Sequence, residues 1–152
     1  MSGLGTQIRH LLASLDGGVQ HIYGRFGADF RPRYYPVVRL LLEREHARVG
    51  AIASATGVSQ PAATQTINEM KKLGLIDQAM GEDRRQHLLR LTPRGHELAN
   101  RLTDIWNAID RAAKSLDEEL PCGLDLVLAS ALAALQRQSF ADRILAQMES
   151  GE

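Results

Sequence analysis

A chain of 152 residues has the length of one ordinary domain with its own apolar core. Its 18 basic and 18 acidic side chains cancel, which excludes a general nucleic-acid coat and leaves room only for a localised basic patch. One cysteine, Cys122, excludes an internal disulfide and a Cys-x-x-Cys site, and it is expected to be a buried or incidental thiol.

Between residues 5 and 26, Ile8, Leu11, Leu12, Leu15, Val19 and Ile22 recur at helical spacing, which predicts a helix bent or loosened by Gly17-Gly18. A second helix is expected after Pro36, with Val37, Val38, Leu40, Leu41 and Leu42 as its buried side. Val49, Ile52 and Ala53 then mark a short apolar helix face closed by a turn at Gly57. The next helix is the best defined in the chain. Ser59 stands at the N-cap and Pro61 in the first turn, where a missing N–H is harmless. Ala63, Ile67, Met70 and Leu73 form one stripe, while Gln60, Ala62, Thr64, Gln65 and Asn68 lie off it. Lys71 and Lys72 suit the negative end of the helix dipole, and Gly74 supplies the stop.

Two strand-like runs follow. Leu75, Ile76, Ala79 and Met80 form the first and residues 87–91 the second, around the polar turn Gly81-Glu82-Asp83-Arg84-Arg85-Gln86. Arginine suits a narrow, electronegative minor groove because its guanidinium is weakly hydrated, and Asp83 can fix one of the pair while the other reaches outward. After Thr92-Pro93, the stripe Leu98, Leu102, Ile105, Trp106, Ile109 and Ala113 predicts a long helix reaching Leu116. Pro121-Cys122-Gly123 breaks it, and Leu124, Leu126, Val127, Leu128, Leu132 and Leu135 mark a last helix.

Two helices joined by a tight glycine turn, then a hairpin with a basic tip, make a winged helix-turn-helix. The second helix of the pair is shaped for the DNA major groove and the hairpin tip for the adjacent minor groove. The fold class is therefore mainly α with a small β-hairpin wing, a winged core at about residues 34–94 and flanking helices at about 5–27 and 95–148 within a single domain spanning 1–152. Those flanks carry more apolar surface than the core can use, and a second copy of the chain would bury it.

Val58-Ser59, Leu73-Gly74-Leu75, Asp83-Arg84-Arg85 and Leu91-Thr92-Pro93-Arg94-Gly95 together resemble the DNA-binding core of the MarR family of bacterial transcriptional regulators. The resemblance implies that the chain ends form a homodimer interface and that two reading heads, about one DNA turn apart, address a palindromic operator in double-stranded DNA. It makes Arg85 the minor-groove arginine and Asp83 its support, with Arg84 beside it. Ser59, Gln60, Ala62, Thr64, Gln65 and Asn68 become the residues of the reading helix. The chain departs from the family at Gln65, where many relatives carry arginine, and at Ala62, often a hydroxyl residue. A glutamine pairs with adenine where arginine favours guanine, so the departure alters the operator and not the mode of reading.

The resemblance also implies a repressor released by a small aromatic or phenolic effector held between the flanking helices and the winged core. Tyr23, Tyr34, Tyr35, Arg39 and Trp106 are the candidates to line such a pocket, offering stacking surface and an anchor for a carboxylate or phenol. No catalytic residues, cofactor or metal site are expected. The histidines at 10, 21, 46, 87 and 96 are scattered, and Glu43, Glu45 and His46 lack a second histidine pair at helical spacing. No signal peptide, lipidation motif or apolar run of bilayer length is present, which predicts a cytoplasmic protein without a membrane partner. The alternative for the same fold is a helical dimer that carries a ligand or binds proteins without binding DNA. The neutral charge and arginine-poor reading helix favour it, and the Asp83-Arg84-Arg85 tip opposes it.

Overall fold

Glycines and prolines punctuate the chain much as their chemistry dictates. A computed structural model describes residues 3–79 and 88–149. The elements in order are α1 (Leu4–Arg25), a 3-10 turn (Pro32–Tyr34), α2 (Tyr35–Arg44), α3 (Val49–Thr56), α4 (Gln60–Lys72), β1 (Ile76–Ala79), β2 (Leu88–Leu91), α5 (Pro93–Glu118), α6 (Leu124–Arg137) and α7 (Phe140–Glu149). The expected class is observed: the described residues are mainly helical, with a two-stranded antiparallel sheet. Two compact units result, one ending at Asp104 and the other beginning at Ile105, both within the long helix α5.

In the first unit the core is built from α1 to β2 and the start of α5. Tyr23, Phe30, Tyr34, Val37, Val38, Leu41, Ile52, Ile67, Met70, Ile76 and Leu89 are all nearly inaccessible to solvent. The register pairs Ile76 with Leu91 and Ala79 with Leu88, so Ile76, Leu89 and Leu91 turn inward. Asp77 and Arg90 face outward opposite one another, joined at 2.9 Å. Ala47 adds a single bridge to the hairpin, exchanging both backbone hydrogen bonds with Leu89.

The end of α4 is a Schellman motif. Gly74 takes φ +70°, a left-handed conformation that glycine alone adopts without strain, and the N–H groups of Leu75 and Gly74 return to the carbonyls of Met70 and Lys71. The Leu-Thr-x-x-Gly segment locks onto this corner. The Thr92 N–H donates to the Leu75 carbonyl at 3.0 Å, and its hydroxyl donates to the Gly74 carbonyl at 2.5 Å. That hydroxyl also accepts from the Gly95 N–H at 3.0 Å, capping α5. Gly95 sits so close to the corner that a Cβ there would lie 2.1 Å from the Leu75 carbonyl oxygen.

Several expectations are corrected. Helix α1 runs unbroken through Gly17-Gly18. Leu42 is exposed while Leu40 and Leu41 are buried, because successive residues 100° apart cannot all share one face. The last helix is two helices, since Ser139 caps a new one: its hydroxyl accepts from the Asp142 N–H at 3.1 Å and donates to the Asp142 carboxylate at 2.7 Å. Cys122 is exposed in the loop before α6, whose first free N–H, on Leu124, is satisfied by the Asp117 carboxylate at 2.9 Å. Among the described residues, no helix is long and apolar enough to cross a membrane.

Alanine ordinarily stabilises a helix relative to glycine, but Gly95→Ala must push the Leu75 backbone aside. Chemical denaturation is expected to show a loss of about 1–3 kcal/mol, the usual range for overpacking. A neutral or stabilised variant would mean that the corner is not tightly packed.

Candidate nucleic-acid interface

Helix α4 presents two opposed faces. Ala63, Thr66, Ile67 and Met70 are buried, and α3, with Ile52 and Ala53 buried, packs against α4. Gln60, Ala62, Thr64, Gln65 and Asn68 are all exposed. Ser59 caps the helix, its hydroxyl accepting from the Ala62 N–H at 3.4 Å, and Pro61 occupies the first turn. Gly57, at φ +67°, makes the turn between α3 and α4. The structure therefore brings Ser59, Gln60, Ala62, Thr64, Gln65 and Asn68 onto one solvent-facing surface of a helix fixed from behind. Asp83, Arg84 and Arg85 lie outside the described residues. Within the described strands, Arg90 is tied to Asp77, so its charge is compensated in place.

The candidates for an effector pocket are distributed differently. Tyr23 and Tyr34 are 1% and 2% exposed, linked through Phe30 by two edge-on contacts with ring centroids 5.1 and 5.6 Å apart. Tyr35 is half-buried, and Arg39 is exposed and reaches Glu43 one turn along at 3.6 Å. Trp106 is buried on the part of α5 that belongs to the second unit. A separate cavity of about 230 Å3 lies between α4, α3 and the start of α2, lined by Arg33, Val37, Thr56, Ala62, Gln65 and Thr66 among others. No cluster of three metal-ligating side chains occurs among the described residues.

One arrangement is not visible in the sequence. Glu69, on the last turns of α4, accepts from the Tyr34 hydroxyl at 2.9 Å and from the Arg33 guanidinium. The Arg33 guanidinium also stacks over the Tyr34 ring, 5.7 Å from its centroid. Hydrogen bonds from Arg33 first and Tyr34 second hold the Glu69 carboxyl below the usual carboxylate range. Burial, and then the bond to Glu69, push the Tyr34 phenol up. The donors sit 36 and 35 residues from their acceptor, so no local pattern announces them.

Residues 28–86 match the MarR family model, which covers the helix pair and the first part of the hairpin. Solved structures share the fold over most of the chain. The MarR family transcriptional regulator SPO1453 from Silicibacter pomeroyi is 20% identical, with a TM-score of 0.67 over 87% of this chain and 94% of its own. CouR, a transcriptional repressor solved on a 23-mer DNA duplex, is 21% identical, with a TM-score of 0.66 over 88% of this chain and 92% of its own. NadR, solved with 4-hydroxyphenylacetate, is 20% identical, with a TM-score of 0.62 over 91% and 96%. No curated protein matches the sequence. The chain therefore shares the fold of these solved structures, and its residues 28–86 match the MarR family model.

Because the folded Glu69 carboxyl titrates below its unfolded value, the stabilisation its partners provide is complete above the ordinary carboxylate range and is lost as pH falls through the lowered value. The stability gap between the wild type and Glu69→Gln is expected to be constant from pH 7 to about 5 and to close below about 4. Denaturation midpoints across a pH series measure it, and a gap that closed on the alkaline side would contradict the assignment.

Proposed function

We propose that the chain is a homodimeric transcriptional regulator that reads a palindromic operator in double-stranded DNA and acts as a repressor released by a small aromatic or phenolic effector. The observation that carries the reading is α4: a capped helix with its apolar face locked into the core and an exposed face of Gln60, Thr64, Gln65 and Asn68 with the small Ala62 among them. That face sits in the segment matching the MarR model. A relative with this fold has been solved on a DNA duplex and another with 4-hydroxyphenylacetate, which supports both the DNA and the effector parts of the proposal.

In this reading Gln65 and Asn68 address base edges in the major groove, Ser59, Gln60 and Thr64 position the helix on the phosphates, and Ala62 gives it close approach. Arg84 and Arg85 enter the minor groove, supported by Asp83. Dimerisation uses the apolar rows left uncovered on α1 and on the last two helices. Leu4, Ile8, Leu12 and Leu15 are exposed on α1, and Leu126, Leu132, Phe140, Leu145 and Met148 on α6 and α7. Burying such surface is the main driving force for association. Of the effector candidates in the first unit, Tyr35 and Arg39 are the accessible ones, and an effector held there alters the separation of the two heads, so that DNA affinity falls because both half-sites cannot be held together.

Selection from a random DNA pool tests the proposal. An enriched inverted repeat with half-sites about one turn apart supports it, and no enrichment at low salt favours the ligand-carrier or protein-interaction alternative. On the enriched duplex, Arg85→Ala is expected to weaken binding by about 10-fold or more at fixed salt, with the dimer intact. Gln65→Ala is expected to leave phosphate-driven binding in place and broaden the consensus in a repeated selection. Leu126→Glu combined with Leu132→Glu is expected to shift the protein to monomer in sedimentation and to abolish binding to the full site while half-site contacts persist weakly.

A further inference from the structure

The reading helix is not packed equally on all sides. Its inner face is filled by Ala63, Ile67 and Met70, each no more than 2% exposed. On the flank toward α2, the cavity of about 230 Å3 separates Ala62, Gln65 and Thr66 from Arg33, Pro36 and Val37. Close packing fixes a helix only where atoms meet, so along that flank its orientation is set by the buried inner face and by any bonds that cross the gap.

Directional bonds close the flank one turn further along. Glu69 lies four residues after Gln65 and seven after Ala62, on the same row of α4. Its carboxylate is gripped by two donors from one 3-10 turn, the Tyr34 hydroxyl at 2.9 Å and the Arg33 guanidinium. The turn is itself rigidly founded. The Tyr34 ring is buried against Phe30, which meets Tyr23 of α1 edge-on. A rotation of α4 that swung Gln65 and Asn68 off their targets would have to pull Glu69 out of this grip.

We infer that Glu69 is a positioning residue for DNA reading: Arg33 and Tyr34 hold it so that Gln65 and Asn68 are aimed at base edges. The clamp sets discrimination between sequences, and general attraction to DNA comes from elsewhere. The pairing with Arg33 also compensates a negative charge that would otherwise stand uncovered on the helix facing the phosphates. This role rests on the reading of α4 as the DNA-contacting helix.

The test compares affinities for two duplexes at one salt concentration, the duplex enriched from the random pool and a scrambled duplex of equal length and composition. Thermal midpoints are measured alongside. Glu69→Ala and Tyr34→Phe are each expected to lower the ratio of the two affinities by about 5- to 10-fold, the lower end of what a single lost base-edge contact costs. The double variant is expected to be no worse than Glu69→Ala alone, because that change already removes the bond that Tyr34→Phe removes. Glu69→Gln is expected to recover most of the ratio, since its amide oxygen still accepts from Tyr34. It loses the same charge as Glu69→Ala, so the difference between them isolates the hydrogen bond. Equal weakening on both duplexes, tracking the thermal midpoint, overturns the inference in favour of a purely structural bond, and so does an unchanged ratio. A wild-type protein that enriches no duplex overturns the DNA-reading of α4 itself, and the clamp's role falls with it.

Discussion

The corner where α4 stops is the constraint on which the winged core depends. The end of α4 and the first strand of the hairpin, consecutive in the chain, meet the distant start of α5 there through the Gly74 and Leu75 carbonyls. Thr92 bonds both carbonyls with two different atoms, and Gly95 admits the second carbonyl where any Cβ would exclude it. The left-handed glycine turns the chain, the threonine pins the return, and the hairpin is closed between them. Since β1 leaves directly from this corner and β2 arrives at it, the direction of the wing relative to α4 is set by backbone atoms, not by long side chains. Backbone bonds vary less than side-chain rotamers, which suits a device that must present two parts at a fixed angle.

Much of this was legible in the sequence because the signals are local. Ser59 and Pro61 start α4, Gly74 ends it, and the 3.6-residue rhythm of Ala63, Ile67 and Met70 gives its inner face; each depends on residues within a few positions of one another. The break before α7 was equally readable in Ser139-x-x-Asp142, a capping pair preceding an apolar run, although the apolar content of α6 masks it. Leu42 was misplaced because a run of leucines overfills any single helical face.

What escaped the sequence involves partners that only the fold brings together. The Asp77–Arg90 pair requires the strand register, which no single strand specifies. The grip of Arg33 and Tyr34 on Glu69 spans three dozen positions and depends on a 3-10 turn that has no periodicity to detect. Tyr34 stood out as an aromatic with a polar handle, and its buried ring and hydroxyl contact now explain why tyrosine serves there: the ring fills the core while the oxygen reaches a carboxylate at its edge. The same pairings bear on the net charge of zero. At Arg33 and Arg90 the positive charge is matched on the spot, so the basic character of the winged core is narrower than a count of its arginines suggests.

Helix α1 has an energetic peculiarity. It is 22 residues long, yet Tyr23 near its C-terminal end is its only buried side chain, and Gly17 and Gly18 in its middle each disfavour the helical state by roughly 1 kcal/mol. Neither glycine is needed for space, since a Cβ at either position would meet nothing within 4 Å. The first four turns therefore draw little support from the chain they belong to. In the proposed dimer a second copy covers the exposed Leu4, Ile8, Leu12 and Leu15, and coiling of this segment and association then form one linked equilibrium, sensitive to protein concentration.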